Sequence, residues 1–157
     1  MDRIIEEIKV IEEIKVIARC LDTLSNTVYK DFQLSRGQYL YLIQICEHPG
    51  MIQEKIAEVF KVDRTTAARA IKKLEINEFI IKVGDKENRK IKKLFPTEKG
   101  KELYKLIEKK EKHFNASALQ SINIEEQQLV LNLIQRIRGN IEIDWQHIKK
   151  ASDAKTP

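Results

Sequence analysis

The sequence predicts a mainly α protein with one small β-hairpin. Three observations carry that prediction. Apolar residues recur at helical spacing through most of the chain. Only 5 Gly and 3 Pro interrupt its 157 residues. Two short β-prone runs, 79–83 and 91–95, flank the polar, turn-rich stretch 84–90. Charged residues make up 34% of the chain, above the usual quarter or so, which suits long solvated helix faces.

The first helix opens with a tandem repeat, Ile5-Glu6-Glu7-Ile8-Lys9-Val10 followed by Ile11-Glu12-Glu13-Ile14-Lys15-Val16. Six residues is not an architectural period, so it reads as a local duplication within one helix. Its apolar positions Ile4, Ile8, Ile11, Ile14, Ala18, Leu21 and Val28 follow helical spacing, and Val10, Ile17 and Leu24 widen the stripe. A helix that apolar needs partners on more than one side. A second helix is expected to start at Ser35, where Ser35 and Gln38 form a capping-box pattern, with Leu40, Ile43 and Cys46 as its buried face. His48-Pro49-Gly50 stops it.

A short third helix runs from Gln53 to Phe60 and buries Ile56, Ala57 and Phe60. Asp63 is a good N-cap for a fourth, which ends near Ile76. Ala67, Ala70, Ile71 and Leu74 face inward on it, while Arg64, Thr65, Arg69, Lys72 and Lys73 face out. After the hairpin, Pro96-Thr97 ends the second strand and Thr97 caps a fifth helix carrying Leu103, Leu106 and Ile107, which reaches about Leu119. Asn123 and Glu126 form a second capping box, after which Leu129, Leu133, Ile137, Ile141, Trp145 and Ile148 line one face. Residues 151–157 are small and polar and are expected to fray.

Charge is segregated along this order. Between Lys61 and Lys93 there are 11 Lys or Arg and 5 Asp or Glu, a net +6, against 18 and 19 in the rest of the chain, a net −1. One segment therefore carries the whole positive excess of a chain whose net charge is +5, the footprint expected of a polyanion binder. Within it, two helices joined through Phe60, Lys61 and Val62 have helix-turn-helix spacing. The second presents Arg64, Thr65, Thr66 and Arg69 on its first turns. Short hydroxyls let a backbone approach DNA, and arginine pairs with guanine edges or phosphates. Gln53 and Lys73 join these as candidate DNA contacts. The hairpin tip offers Lys86, Arg89 and Lys90, the cationic end that a minor-groove wing requires.

These segments resemble the MarR family of regulators. Ile56-Ala57-Glu58 and the run from Asp63 to Glu75 resemble its recognition module, and the run from Asp85 to Lys90 its wing motif. Pro96-Thr97-Glu98-Lys99-Gly100 resembles its strand exit, and His48-Pro49-Gly50 its Pro-Gly turn. The resemblance implies a winged helix-turn-helix plus terminal dimerisation helices: a homodimer on a pseudo-palindromic operator in double-stranded DNA, with repression as the common mode of the family. It divides the chain into an N-terminal dimerisation helix at 1–33, a DNA-binding domain at 34–96, C-terminal dimerisation helices at 97–150 and a flexible tail at 151–157. Ile4, Ile8, Ile11, Leu133, Ile137, Ile141 and Trp145 are the expected dimer interface. The family's pocket for a small aromatic effector points to Tyr39, Tyr41 and His48. Three positions depart from the pattern. Ile52 replaces the usual Ser or Thr opening the third helix. Glu78 replaces a glycine, so Asn77 is expected to take the left-handed conformation. Asn88 replaces the wing's second aspartate, leaving an Asp85–Arg89 pair as the expected wing brace.

Other functions are poorly supported. The three histidines, His48, His113 and His147, are scattered, and there is no Gly-rich phosphate loop, so no enzyme is expected. Cys20 and Cys46 form no CxxC pair, so neither a metal nor a cofactor is expected. Cys20 does not match the position of the reactive cysteine in peroxide-sensing relatives, which leaves switching by cysteine oxidation as a lesser alternative. A purely helical interaction adaptor would have no use for the basic hairpin. The N-terminus is too charged for a signal peptide and no apolar run is long enough to span a bilayer, so no membrane association and a cytoplasmic location are expected.

Overall fold

Residues with left-handed backbone angles set several of the helix boundaries in this protein. A computed structural model describes residues 2–34 and 36–155, with side chains from Lys9 onward. Helix α1 (Asp2–Tyr29) passes into a single 3-10 turn, Lys30–Phe32, closed by Gln33 at φ 62°. Arg36 and Gly37 are both left-handed, at φ 60° and 78°, and the Arg36 amide donates to Asn26 Oδ1 at 2.6 Å. Two consecutive left-handed residues forbid a helix there. Helix α2 therefore spans Gln38–Glu47, starting three residues after Ser35, which itself lies outside the described residues. Its buried residues are Gln38, Tyr41, Leu42 and Ile45; of the expected face, Ile43 and Cys46 are partly buried against the core and Leu40 is exposed. This helix is apolar on nearly every side, so spacing alone did not choose the face; packing against the helix at Arg64–Ile76 and the strand at Lys92–Pro96 did.

Gly50, at φ 90°, turns the chain so that its amide donates to Leu94 O at 2.8 Å. That aligns a two-residue strand, β1 (Met51–Ile52), which is too short to show a sequence pattern. Helix α3 (Gln53–Phe60) begins at Ile52 without a side-chain cap, as the departure from Ser or Thr there suggests. Helix α4 (Arg64–Ile76) is capped by Asp63. Its exit corrects one expectation: Asn77 sits at φ −80° and Glu78 takes the left-handed conformation at φ 63°. The amide of Phe79 reaches back to Leu74 O at 3.0 Å, and this closure fixes the left-handed site at Glu78 despite its side chain.

Strands β2 (Ile80–Gly84) and β3 (Lys92–Pro96) lie one residue later than the pattern placed them. The sheet is antiparallel in the order β1-β3-β2, with Ile81 opposite Phe95 and Met51 opposite Leu94. Thr97 then starts helix α5 (Glu98–Ala118) by accepting the Gly100 amide at 3.0 Å. Helix α6 (Ile124–Asp153) is capped by Asn123, whose Oδ1 accepts the Glu126 amide at 2.9 Å. It stays helical through Asp153, so the stretch expected to fray from Ala151 is helical over its first three residues.

The chain forms two compact units, Met1–Lys110 and Glu111–Pro157. The core of the first is built on Leu42, Ile45, Ile56, Ile71, Leu74, Ile80, Leu94 and Ile107, all fully buried. In the second, α6 has no buried residue. Among the described residues, no helix is long and apolar enough to cross a membrane.

The tightest joint in the first unit is at Gly100, where a Cβ would collide with the Phe79 carbonyl oxygen. Alanine ordinarily favours a helix over glycine by about 1 kcal/mol. Here the obstacle is backbone, which cannot swing aside, so overpacking at about 1–3 kcal/mol should prevail. Gly100→Ala is expected to lower the urea midpoint; a midpoint equal to or above wild type would contradict this joint.

Candidate nucleic-acid interface

The site grows from the cap of α4. The Thr66 amide donates to Asp63 Oδ1 at 2.6 Å, which fixes the first turn and turns Arg64 and Thr65 outward. This bond from the Thr66 backbone holds the Asp63 carboxyl below the usual carboxylate range, with a further bond from the Thr66 side chain and the nearby charge of Arg69 adding to it. Ala67, Ile71 and Leu74 anchor the opposite face in the core. The outer face lines an open groove of about 690 Å³ with Gln53, Arg64, Thr65, Ala68, Arg69, Lys72, Lys73, Ile76 and Lys82. Five of these residues are cationic and none is acidic.

Gln53, Arg64, Thr65, Arg69 and Lys73 are thus brought together on one surface. Thr66 is exposed but lies outside the groove lining, and its amide serves the cap. Sequence reasoning left Ala68, Ile76 and Lys82 out of the site. Lys82 belongs to β2 and pairs across the ladder with Leu94, so nothing in the helical pattern links it to α4. Lys72, recognised as outward-facing, lines the groove too, although Glu75 Oε1 lies 3.3 Å from its Nζ.

The wing is braced differently from the expectation. Asp85 Oδ1 pairs with Lys93 Nζ at 3.1 Å, not with Arg89. Asp85 Oδ2 accepts the Asn88 amide at 3.3 Å, and Asn88 Oδ1 accepts the Lys90 amide at 3.1 Å. The bond from Lys93 is the main cause holding the Asp85 carboxyl below its usual range. Asn88, in the place of an aspartate, accepts within the turn, while Lys86, Arg89 and Lys90 stay exposed. A second groove, of about 320 Å³, is lined by Ile52, Gln53, Glu54, Lys90, Ile91 and Lys92. Gln53 lines both grooves and so links the wing to the face of α4.

The residues expected to meet an effector have the following surroundings. Tyr39 stacks on Tyr29 with centroids 4.4 Å apart, and its hydroxyl accepts from Ser25 Oγ at 3.0 Å. Tyr41 is buried against Phe60 at 4.9 Å. His48 is exposed at the end of α2. Burial, helped by Glu47, pushes the Cys46 thiol up to about 11, which leaves it protonated and a poor redox nucleophile at neutral pH. Cys20 is exposed on α1.

Of the expected dimer residues, Leu133 and Ile141 are exposed, and Ile11, Ile137 and Trp145 are partly covered. The side chains of Ile4 and Ile8 lie outside the described residues. Val10, Val16, Ile17, Leu21 and Leu24 of α1 are each at least 50% exposed, an apolar excess that a solvated helix would not carry.

Fold and surface together define a winged helix-turn-helix protein with a cationic recognition face. Residues 34–92 match the MarR family. The HTH-type transcriptional regulator YybA of Bacillus subtilis is 56% identical over 137 residues, covering 87% of this chain and 91% of that protein. A MarR-family regulator from Listeria monocytogenes, solved with a 26mer DNA, superposes with a TM-score of 0.85 at 46% identity, covering 89% of this chain and 93% of that one. The transcriptional regulator SlyA superposes at 0.84 with 49% identity, over 88% of this chain and 98% of that one. This chain belongs to the MarR family of transcriptional regulators.

Lowered carboxyls at Asp63 and Asp85 stabilise the native state at pH values above the ordinary carboxylate range, and that contribution is lost as pH falls through their native values. Asp63→Asn keeps an acceptor at the cap but no charge, so its stability should fall less than wild type's on acidification; an unchanged acid limb would contradict the assignment. For the wing, Lys93→Ala should speed exchange of the Asn88 amide while Arg89→Ala leaves it unchanged. Equal effects would restore Arg89 as the brace.

Proposed function

We propose that this protein is a homodimeric, sequence-specific DNA-binding repressor that works in the cytoplasm, with α4 in the major groove and the wing on the flanking minor groove of a pseudo-palindromic operator. The observation that carries this reading is the groove in which five cations and no carboxylate surround the first turns of a capped helix. In that setting Arg64 and Arg69 are the base readers, aided by Thr65, while Gln53, Lys72, Lys73 and Lys82 hold the flanking phosphates. Thr66 acts through the cap. Lys86, Arg89 and Lys90 form the wing's contact with the neighbouring groove. The Listeria relative solved with DNA supports the same partner here.

Dimerisation follows from what each unit leaves uncovered. The apolar face of α1 and that of α6, which carries Leu133, Ile137, Ile141 and Trp145, are surfaces that a second copy would bury, as in obligate dimers. Two-fold symmetry would set two recognition helices about one DNA turn apart, ~34–36 Å. A dimer held on its operator excludes other proteins from the same DNA, and release by a small effector is the mode that the family resemblance implies.

Arg69→Ala should weaken binding to the preferred duplex by about tenfold or more, from the ~1–3 kcal/mol that a base-reading arginine contributes. Undiminished affinity and base preference would remove it from the interface. Lys90→Ala should lower the slope of log affinity against log salt by about 1 without altering base preference. Replacing Ile137 and Ile141 together by Glu should shift sedimentation from dimer to monomer, because each buried aliphatic side chain contributes about 1.5–3 kcal/mol. A wild-type chain that sediments as a monomer at micromolar concentration would sink the dimer and with it the palindromic operator.

A further inference from the structure

A third groove, of about 360 Å³, shares no lining residue with the cationic face. Phe79 and Leu103 are buried beneath it, Phe32 is partly covered, and Leu106 forms an exposed apolar wall. Its charged rim is Asp31, Lys99 and Glu102. Lys99 is already engaged: its Nζ donates to Asn77 O at 2.9 Å and lies 4.9 Å over the Phe79 ring. Asp31 and Glu102 are exposed and make no ion pair among the described residues. The groove thus combines aromatic and aliphatic surface with a rim of two carboxylates and one lysine, a net charge of −1. Its volume is at the small end of the range for ligand pockets, ~300–1,000 Å³.

We propose that this groove binds a small amphipathic cation, an aryl- or alkylammonium, with its apolar body on Phe32, Phe79 and Leu103 and its charge toward Asp31 and Glu102. An aromatic carboxylate would meet two like charges there against one cation, Lys99, whose Nζ already donates to Asn77 O. Quaternary ammonium groups are also attracted to aromatic faces: Phe32 supplies one, and Phe79 another over which Lys99 Nζ already lies. The seat borders the recognition helix. The Phe79 amide donates to Leu74 O of α4, and its carbonyl accepts from the Thr97 amide at 3.0 Å. A cation competing with Lys99 for the Phe79 ring loosens the tie from Lys99 to Asn77 at the end of α4. Occupancy therefore alters DNA affinity, a consequence that rests on the DNA-binding reading above.

The test uses the full-length chain, benzyltrimethylammonium as probe and 3-phenylpropanoate as its anionic counterpart. Titration followed by amide chemical shifts should give saturable changes at Phe32, Gln33, Phe79 and Leu103, with affinity for the cation at least about tenfold above that for the anion. Asp31→Asn with Glu102→Gln should cut cation affinity at least about fivefold, with the unfolding midpoint and the DNA affinity in the absence of probe unchanged. Absence of saturable shifts at these amides, equal affinity for the anion, or full affinity in the double variant would overturn the site. Saturating cation should change wild-type DNA affinity at least about threefold and leave that of the double variant alone; an unchanged wild-type affinity would overturn the coupling. Failure of the DNA-binding reading shows separately, as weak and salt-insensitive duplex binding with no probe present.

Discussion

The close approach of α5 to the end of the recognition helix is the constraint on which the rest of the site depends. Gly100 lets the first turn of α5 press against the Phe79 carbonyl. Thr97 fastens the same place three ways: its amide donates to Phe79 O, its hydroxyl donates to Glu78 O at 2.6 Å, and that hydroxyl oxygen accepts the Gly100 amide. The left-handed Glu78 turns α4 directly into β2, and Thr97 turns β3 directly into α5. Recognition helix and wing are thereby held by one small cluster of bonds centred on the Thr97 backbone and hydroxyl. This rigidity lets Lys82 of a strand share a surface with Arg69 of a helix. A second tie joins the end of α2 to α5, where the Tyr104 hydroxyl donates to Glu47 Oε1 at 3.1 Å. Burial and this carboxylate push the Tyr104 hydroxyl up to about 12, so it stays a donor at neutral pH.

What the sequence made legible was local. Asp63, Thr97 and Asn123 cap helices through bonds spanning three residues, and each was readable because cap chemistry depends on near neighbours. The hairpin and the cationic face of α4 followed from periodicity and charge. What it did not reveal depended on distant contacts. The true wing brace is Lys93, eight residues beyond Asp85, reached only once the hairpin register is known. Strand β1 exists because Leu94 offers a carbonyl to Gly50. Lys82 entered the groove through the packing of β2 beside α4, which no one-dimensional pattern encodes. The start of α2 was misread because Arg36 adopts a left-handed angle that its residue type does not announce.

Apolar excess behaves in the opposite way. The stripes on α1 and α6 are plain in the sequence, and within each unit they stay largely uncovered. Tyr39 stacks on Tyr29 and Tyr41 packs on Phe60, contacts that the helical pattern does not reveal. The groove at Phe79 was invisible to motif reading because its lining comes from three separate places: the 3-10 turn, the link between α4 and β2, and α5.

The central claim is that two copies of the cationic face read one turn of DNA apart. Selection of duplexes from a random pool by the full-length protein, followed by methylation interference on the selected sequence, tests it most directly. The account predicts an inverted repeat whose half-site centres lie about 10–10.5 base pairs apart, with guanine interference in both major-groove halves. A single unrepeated site, or enrichment of no sequence, would contradict it.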